Sequence, residues 1–370
     1  MKTVPLGEVA QINMGSAPPS LSYNSVGAGV PLIAGAGDFG KENPVQKKWT
    51  TEPTRITEIG DLIVCVRATI GNLNWANKKY CLGRGVAGIR SKNDKIDLNF
   101  AFHYINSKKN ELVKLGTGST FLAIRKADLE KFPFPDLGLK EQKRIAEILD
   151  KADGIRKKRE KALQLADSFL RATFLEMFGD PVTNPKGWDS LPLKELGKVS
   201  TGTTPSGQKN AMFGTEIPFV TPGDLETDTI TKRFLTKEGA ENSRTVRKGA
   251  TFVCCIGTIG KIDIAKNLSA FNQQINAVEW NEYIKDDYGL WAMKFIKKIV
   301  IRQAIKTTLP ILKKSEFEKI IMPKPPKLLQ NEFTEIIQKK TGIIKQLKKH
   351  SEELSILLNS LTQRAFRGEL

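Results

Sequence analysis

The stretch TEIGDLIVCVRATIGN (57–72) is answered further along the chain by TVRKGATFVCCIGTIGK (245–261). Each holds a short apolar run bounded by Gly-containing segments, the pattern of a strand between turns. The correspondence extends outward. VPLGEVAQINMGSAPP near residue 4 matches LPLKELGKVSTGTTPS near 191. IRKADLEKFPFPDLGLKEQKRIAEILD (124–150) matches LKKSEFEKIIMPKPPKLLQNEFTEIIQ (312–338), and SFLRATFLEMFGD (168–180) matches SLTQRAFRGEL (360–370). The four blocks keep their order at an offset of about 188 residues. One period is therefore a whole domain plus an appendage, not a solenoid repeat.

Each half divides in the same way. Its first part mixes β-rich runs with a helix expected over 98–116 (LNFAFHYINSKKNELVKLG), matched by 288–306 (YGLWAMKFIKKIVIRQAIK). The Pro-rich segments FPFPDLG (132–138) and MPKPPK (322–327) are expected to stop each globular part, because Pro continues neither a helix nor a strand ladder. A long helix should follow each stop. In the first, Ile145, Leu149, Ala152, Ile155, Ala162, Ala166, Phe169, Thr173 and Met177 fall on one stripe. In the second, Phe333, Ile336, Ile337, Lys340, Ile343, Leu347, Leu354, Leu357, Leu361 and Ala365 do the same. Steps of three and four are the coiled-coil period. Gly154 and Gly342 share one repeat position. A helix-interior Gly costs about 1 kcal/mol against Ala, so the pair suggests a close helix approach, or else an accident shared through duplication.

The fold class that follows is α+β: two similar mixed α/β globular domains separated by two long antiparallel coiled-coil helices, an internal repeat with pseudo-twofold symmetry. The globular domains are placed at 1–138 and 181–327, and the helices at 139–180 and 328–370. At 1.5 Å per residue each helix would reach nearly ~60 Å and hold two inverted heads on a rigid spacer.

Charge indicates what the heads would meet. Lys and Arg number 58 against 40 Asp and Glu, a net charge of +18, and the sequence pI is near 9.6. Such a field draws polyanions, nucleic acid first among them. A solvated basic surface is the plainer alternative. Two inverted heads on a fixed spacer suit a duplex with two half-sites, whose spacing mirrors protein geometry. The same helices would equally serve to dock a partner protein.

Other classes find little support. Cys65, Cys81, Cys254 and Cys255 show no CxxC spacing, and His103 and His350 are the only histidines, so no zinc site is expected. Cys65 and Cys254 sit in apolar runs and read as buried strand thiols in a reducing cytosol. No apolar segment suggests a signal peptide or a membrane span. There is no G-x-x-x-x-G-K-[ST] phosphate loop. Asp180-Pro181-Val182 and Asn184-Pro185-Lys186 do not fit the Asn/Asp-Pro-Pro-aromatic motif of amine methylation and read as a turn. No catalytic residue, cofactor or metal is assigned.

The combined order of EIGDLIV, TIGN and TIGK, GTGSTFLAIRKADLEKFPFP, KEQKRIAEILDKAD, MFGDPVTNPKGW (177–188) and QRAFRGEL resembles the specificity subunits of type I restriction-modification systems over essentially the full length. The resemblance implies two target-recognition domains, each reading half of a split site in double-stranded DNA. It also implies helices that set the gap and bind two modification (methyltransferase) subunits, with ATP-dependent restriction subunits joining that core. It implies a non-catalytic, cytoplasmic recognition subunit without membrane association. The second half departs where GSTFLAI (118–124) gives way to TLPILK (308–313), which puts that loop in question. A coiled-coil adaptor organising proteins, and the recognition subunit of an assembly with a fused methyltransferase-nuclease, are the alternatives.

Phosphates are contacted by Lys, Arg and hydroxyls, and base edges by Arg or Lys at guanine and Asn or Gln at adenine. The first head offers Arg67, Arg84, Arg125 and Lys126; the second offers Thr203, Thr204, Ser206, Gln208, Lys209, Lys261 and Gln273. Each has a plainer reading: a solvent-facing charge, a simple turn or, for Gln273, a buried strand amide. Trp49, Trp75, Trp188, Trp280 and Trp291 are scattered and read as core or rim.

Overall fold

The computed structural model describes residues 1–118, 121–205, 212–227, 231–304 and 310–369. It divides into two compact units, 1–161 with 349–370 and 162–348. Among the described residues no helix is long and apolar enough to cross a membrane.

The first unit is organised around the quoted apolar run. Leu62–Cys65 is an interior strand of a four-stranded antiparallel sheet in the order Ala10–Met14, Val86–Ser91, Leu62–Cys65, Leu73–Trp75. All four of its residues are buried. Strand side chains alternate between faces, so an unbroken apolar run needs cover on both. Leu62 and Val64 join the cluster with Phe100, Ala101 and Ile105 of the helix Leu98–Ser107. Ile63 and Cys65 join Ile33, Tyr80 and Leu82. Ile33 and Leu82 belong to a second, mixed sheet in which Val30–Ile33 runs parallel to Cys81–Leu82. Asp97 caps the helix by accepting from the Phe100 N–H at 2.9 Å.

The second unit repeats this scheme. Its main sheet runs Gly197–Thr201, Ile275–Trp280, Thr251–Cys254, Ile262–Ile264. Val253 and Cys255 face the helix Asp286–Ala304, while Phe252 and Cys254 face the other way. The second sheet has five strands, with Ile217–Val220 parallel to Ser269–Phe271. Burial pushes the Cys65 thiol up to about 11 and the Cys255 thiol up to about 12, so both behave as small apolar groups.

The Pro-rich segments are not plain stops. Pro133–Pro135 pairs antiparallel with Thr3–Pro5, and Ile321–Pro323 with Ser190–Pro192. A two-stranded ribbon has an open edge on each side, where a prolyl nitrogen has no ladder bond to lose.

The long helices run Leu139–Phe178 and Lys327–Arg367. Each unit holds the opposite halves of the two. In the second unit Phe174 and Phe178 enter an aromatic cluster with Tyr288, Trp291, Phe295 and Phe333. In the first unit Phe366, from the other helix, takes the corresponding place against Phe100 and Tyr104. Most stripe positions read from the sequence are buried or half-buried, but Ile155, Phe169, Ile343 and Leu357 are not. Leu170 and Phe174 are buried, whereas Phe169 is 47% exposed. Ile155, Ile343 and Leu357 are also exposed, and Arg156, Ile344 and Leu358 take the inward positions beside them. Adjacent apolar residues make a phase of 3.5 ambiguous by one step, and the aromatic cluster on the head decides it. Arg156 is held by Asp153 at 2.6 Å and also bonds Glu160. Gly154 and Gly342 face open space, so no close helix approach explains them.

A buried glutamine anchors each long helix to its head. The Gln142 amide donates to Lys95 O (3.1 Å) and Leu137 O (2.8 Å) and accepts from the Asp97 N–H (2.9 Å). Gln330 makes the same three bonds, to Tyr283 O, Pro325 O and from Lys285 N. Truncating either side chain strands buried polar backbone. Gln142→Ala is expected to cost about 2–4 kcal/mol in urea denaturation; a loss under about 0.5 kcal/mol would show that water replaces the amide.

The connector between helix and second head is a built turn. Gly179 takes φ 77° after the helix. The Trp188 indole N–H donates to Phe178 O at 2.9 Å, and Asn184 (φ 45°) bonds both the N–H and the carbonyl of Trp188.

Candidate nucleic-acid interface

In both units the same loops gather at one end of the main sheet. In the first, the turn after Cys65 is closed by Gly71 N–H donating to Cys65 O (2.9 Å), and Val66 N–H donates to Gly85 O (2.9 Å). In the second, Gly260 N–H donates to Cys254 O (2.9 Å) and Cys255 N–H to Gln274 O (2.8 Å). Ile124 N–H donates to Val66 O, and Leu312 N–H to Cys255 O, each at 2.9 Å. The backbone pairing at Ile124 therefore survives at Leu312, although GSTFLAI and TLPILK differ in sequence. Residues 119–120 and 308–309 of those segments lie outside the described residues.

Arg67 is exposed beside this turn, with its guanidinium 5.9 Å from the ring centre of Phe121, itself 56% exposed. Ala68 adopts φ 61°, a conformation that L side chains disfavour, where the second unit has Gly257 at φ 77°. A strained residue next to an exposed Arg is the kind of outlier that clusters at binding sites.

Arg84 projects from the adjacent turn, Gly83–Arg84–Gly85. From Tyr80 to Ile89 every other residue is buried. Gln273 stands at the corresponding turn of the second unit. It is exposed, not buried in a strand, because the turn between Phe271 and Ile275 lifts it out of the ladder. Thr204 Oγ1 donates to Gln273 Oε1 at 2.6 Å, and Thr203 Oγ1 accepts from the Arg244 N–H at 2.8 Å.

Lys261 is half-buried and donates to Pro222 O at 3.0 Å. It forms one side of an open polar cleft with Thr221, Lys232, Arg233, Thr258 and Gln274. The Asp224 carboxylate in this cleft is occupied by the Thr221 N–H and hydroxyl, at 2.8 and 2.7 Å. Nearby, burial opposes ionisation of Glu226, but Lys297 at 2.8 Å and the Ile262 N–H outweigh it and hold its carboxyl below the usual range.

Arg125 and Lys126 lie back along the flank, beyond the pairing of Ile124 with Val66. Arg125 bonds Asp128 at 3.1 Å and holds that carboxyl below its ordinary value, and Lys126 pairs with Glu130 at 3.5 Å. Such exposed local pairs are weak and open readily to a phosphate. Ser206, Gln208 and Lys209 lie outside the described residues. The sequence reading missed Ser16, Phe121, Lys232 and Arg233. Ser16 holds the repeat position of Thr203, which could have flagged it; Lys232 and Arg233 correspond to Lys47 and Lys48, because Phe219 N–H donates to Arg233 O as Leu32 N–H donates to Lys48 O, and the matching basic pairs could have flagged them. The five Trp residues are buried or half-buried.

The family described as type I restriction modification DNA specificity domain matches residues 1–165 and again 185–355. The chain belongs to this family. Its two copies of the specificity domain coincide with the repeat read from the sequence. Among curated proteins, a putative type I restriction enzyme MjaX specificity subunit from Methanocaldococcus jannaschii is 41% identical over 145 residues, 39% of this chain and 34% of that one. The MjaIX specificity subunit of the same organism is 27% identical over 191 residues, 49% of this chain and 44% of that one. The HindI specificity subunit of Haemophilus influenzae is 30% identical over 99 residues, 25% and 22% of the two chains. The matches thus span less than half the length of these relatives. Among solved structures, the S subunit of a type I system from M. genitalium superposes with a TM-score of 0.66 at 16% identity, over 98% of this chain and 95% of that one. A chain from a type I restriction-modification assembly gives 0.57 at 17% identity, over 100% and 98%. At that identity the likeness shows the fold: two repeated α+β specificity domains with long helices.

Proposed function

We propose that this chain is the specificity subunit of a type I restriction-modification complex, reading a split site in double-stranded DNA. Target-recognition domains at 1–138 and 181–327 each read one half-site. The helices at 139–180 and 328–370 set the gap and seat two modification subunits, and restriction subunits join that core. The chain itself is non-catalytic and acts in the cytoplasm. One observation carries this reading: both specificity domains present exposed cationic or amide side chains at the same sheet end, Arg67 and Arg84 in one, Lys232, Arg233 and Gln273 in the other. Arg67, Arg84, Thr203, Thr204, Lys261 and Gln273 are assigned to the DNA face, with Arg125 and Lys126 at its phosphate margin; Ser206, Gln208 and Lys209 are proposed as DNA contacts from the sequence TGTTPSGQKN alone. The exposed Ile155, Phe169, Ile343 and Leu357 on the helices favour protein docking there, which the same complex accommodates.

Binding of the chain, with its modification subunits, to random-sequence duplexes tests the reading. Neutralising several phosphates should make affinity fall steeply with salt, by about 1,000-fold between 50 and 200 mM if roughly six are contacted. Salt-insensitive binding, or none to any duplex, would overturn it.

A further inference from the structure

Arg84 and Gln273 occupy the same structural position in the two heads. Val86 N–H donates to Gly83 O at 3.2 Å around Arg84, and Ile275 N–H to Asn272 O at 3.1 Å around Gln273. Each is the one exposed residue in its stretch, 80–89 and 269–278. The turn beneath Arg84 is braced. A side chain on Gly85 would meet Ala34 O at 2.2 Å, and one on Gly15 would meet Gly83 O at 2.1 Å. In the second head a side chain on Gly202 would meet Asn272 O at 2.3 Å. A single long polar side chain thus stands on a fixed support at the same sheet end of each head.

The two side chains differ in chemistry. A guanidinium donates two parallel hydrogen bonds and matches O6 and N7 of guanine; a carboxamide donates once and accepts once and matches N7 and the N6 amino group of adenine. Arg84 makes no hydrogen bond or ion pair among the described contacts, so its donors are open. The Gln273 amide is oriented by Thr204, whose hydroxyl occupies one lone pair of Oε1 and leaves the second, with the Nε2 protons, for a base edge. The residue at the place of Thr204 in the first head is Ala17, which has no hydroxyl, and the symmetric donor fork of Arg84 needs no such orientation.

We infer that Arg84 and Gln273 are equivalent base readers, Arg84 contacting a guanine in one half-site and Gln273 an adenine in the other, with Thr204 a positioning residue for Gln273. This rests on the reading of the chain as a two-headed DNA binder.

Selection from random duplexes by the full chain with its modification subunits tests it. The unaltered chain should enrich a split motif. Arg84→Gln should replace guanine by adenine at one position of one half, and Gln273→Arg should do the reverse in the other half, each changing discrimination there by roughly 10- to 100-fold. Arg84→Ala and Gln273→Ala, at exposed turn positions, should keep the melting temperature and lose the preference at the same positions. Thr204→Val should weaken only the adenine preference, and Thr204→Ser should restore it. A motif unchanged by the Arg84 and Gln273 substitutions, or one relaxed in both halves by either, would overturn the inference while leaving the two-headed reading intact. An unaltered complex that enriches no split motif would overturn both.

Discussion

Removing four residues from each long helix, within 155–165 and 339–350, is expected to bring the two half-sites closer by roughly two base pairs and to leave the bases of each half unchanged. Four helical residues span about 6 Å, and duplex DNA rises about 3.4 Å per base pair. These segments lie clear of the Gln142 and Gln330 anchors and of the phenylalanines at the far ends, so each head keeps its own core. Motifs selected by the original and shortened chains measure the gap directly. An unchanged gap would show that something other than the helices sets the spacing.

Phe174→Ala should cost the second unit about 3–5 kcal/mol, a large share of the 5–15 kcal/mol typical of a domain. The ring is fully buried. It stacks on Tyr288 and Phe295 with centroids at 5.6 and 4.9 Å and meets Phe333 edge-on at 5.4 Å. Phe169 is five residues earlier on the same helix, and its face is half exposed beneath Lys340. Phe169→Ala should cost under about 1 kcal/mol. Denaturation followed by fluorescence of Trp188, Trp280 and Trp291, all in the second unit, compares the two. Equal losses would contradict the phase of the stripe.

That phase marks where the sequence ceased to be enough. The repeat was legible because four blocks recur in order. The run LIVC announced a strand; that the second sheet and the helix at Leu98–Ser107 cover both its faces is seen only in the fold. The choice between Phe169 and Leu170, or Ile343 and Ile344, was not legible, because neighbouring apolar residues serve a 3.5-residue period equally well until a partner surface is known. Pro133 and Pro135 read as terminators because a ribbon pairing with Thr3–Pro5, more than a hundred residues away, leaves no local trace. At the interface, residue type flagged Arg67, Arg84 and Gln273, but not their setting. Gln273 sits in an apolar-flanked segment that looked like strand, and only the fold shows the turn that exposes it. The pairing of Gln273 with Thr204 joins segments more than sixty residues apart and depends on the close approach at Gly202.

The central claim, that one chain reads two half-sites at a fixed separation, is tested most directly by co-expressing it with its candidate modification subunit and mapping modified bases across the genome by single-molecule sequencing. The account predicts one split motif of constant gap, modified on both strands. A stable complex that modifies nothing, or that modifies an undivided motif, would contradict it.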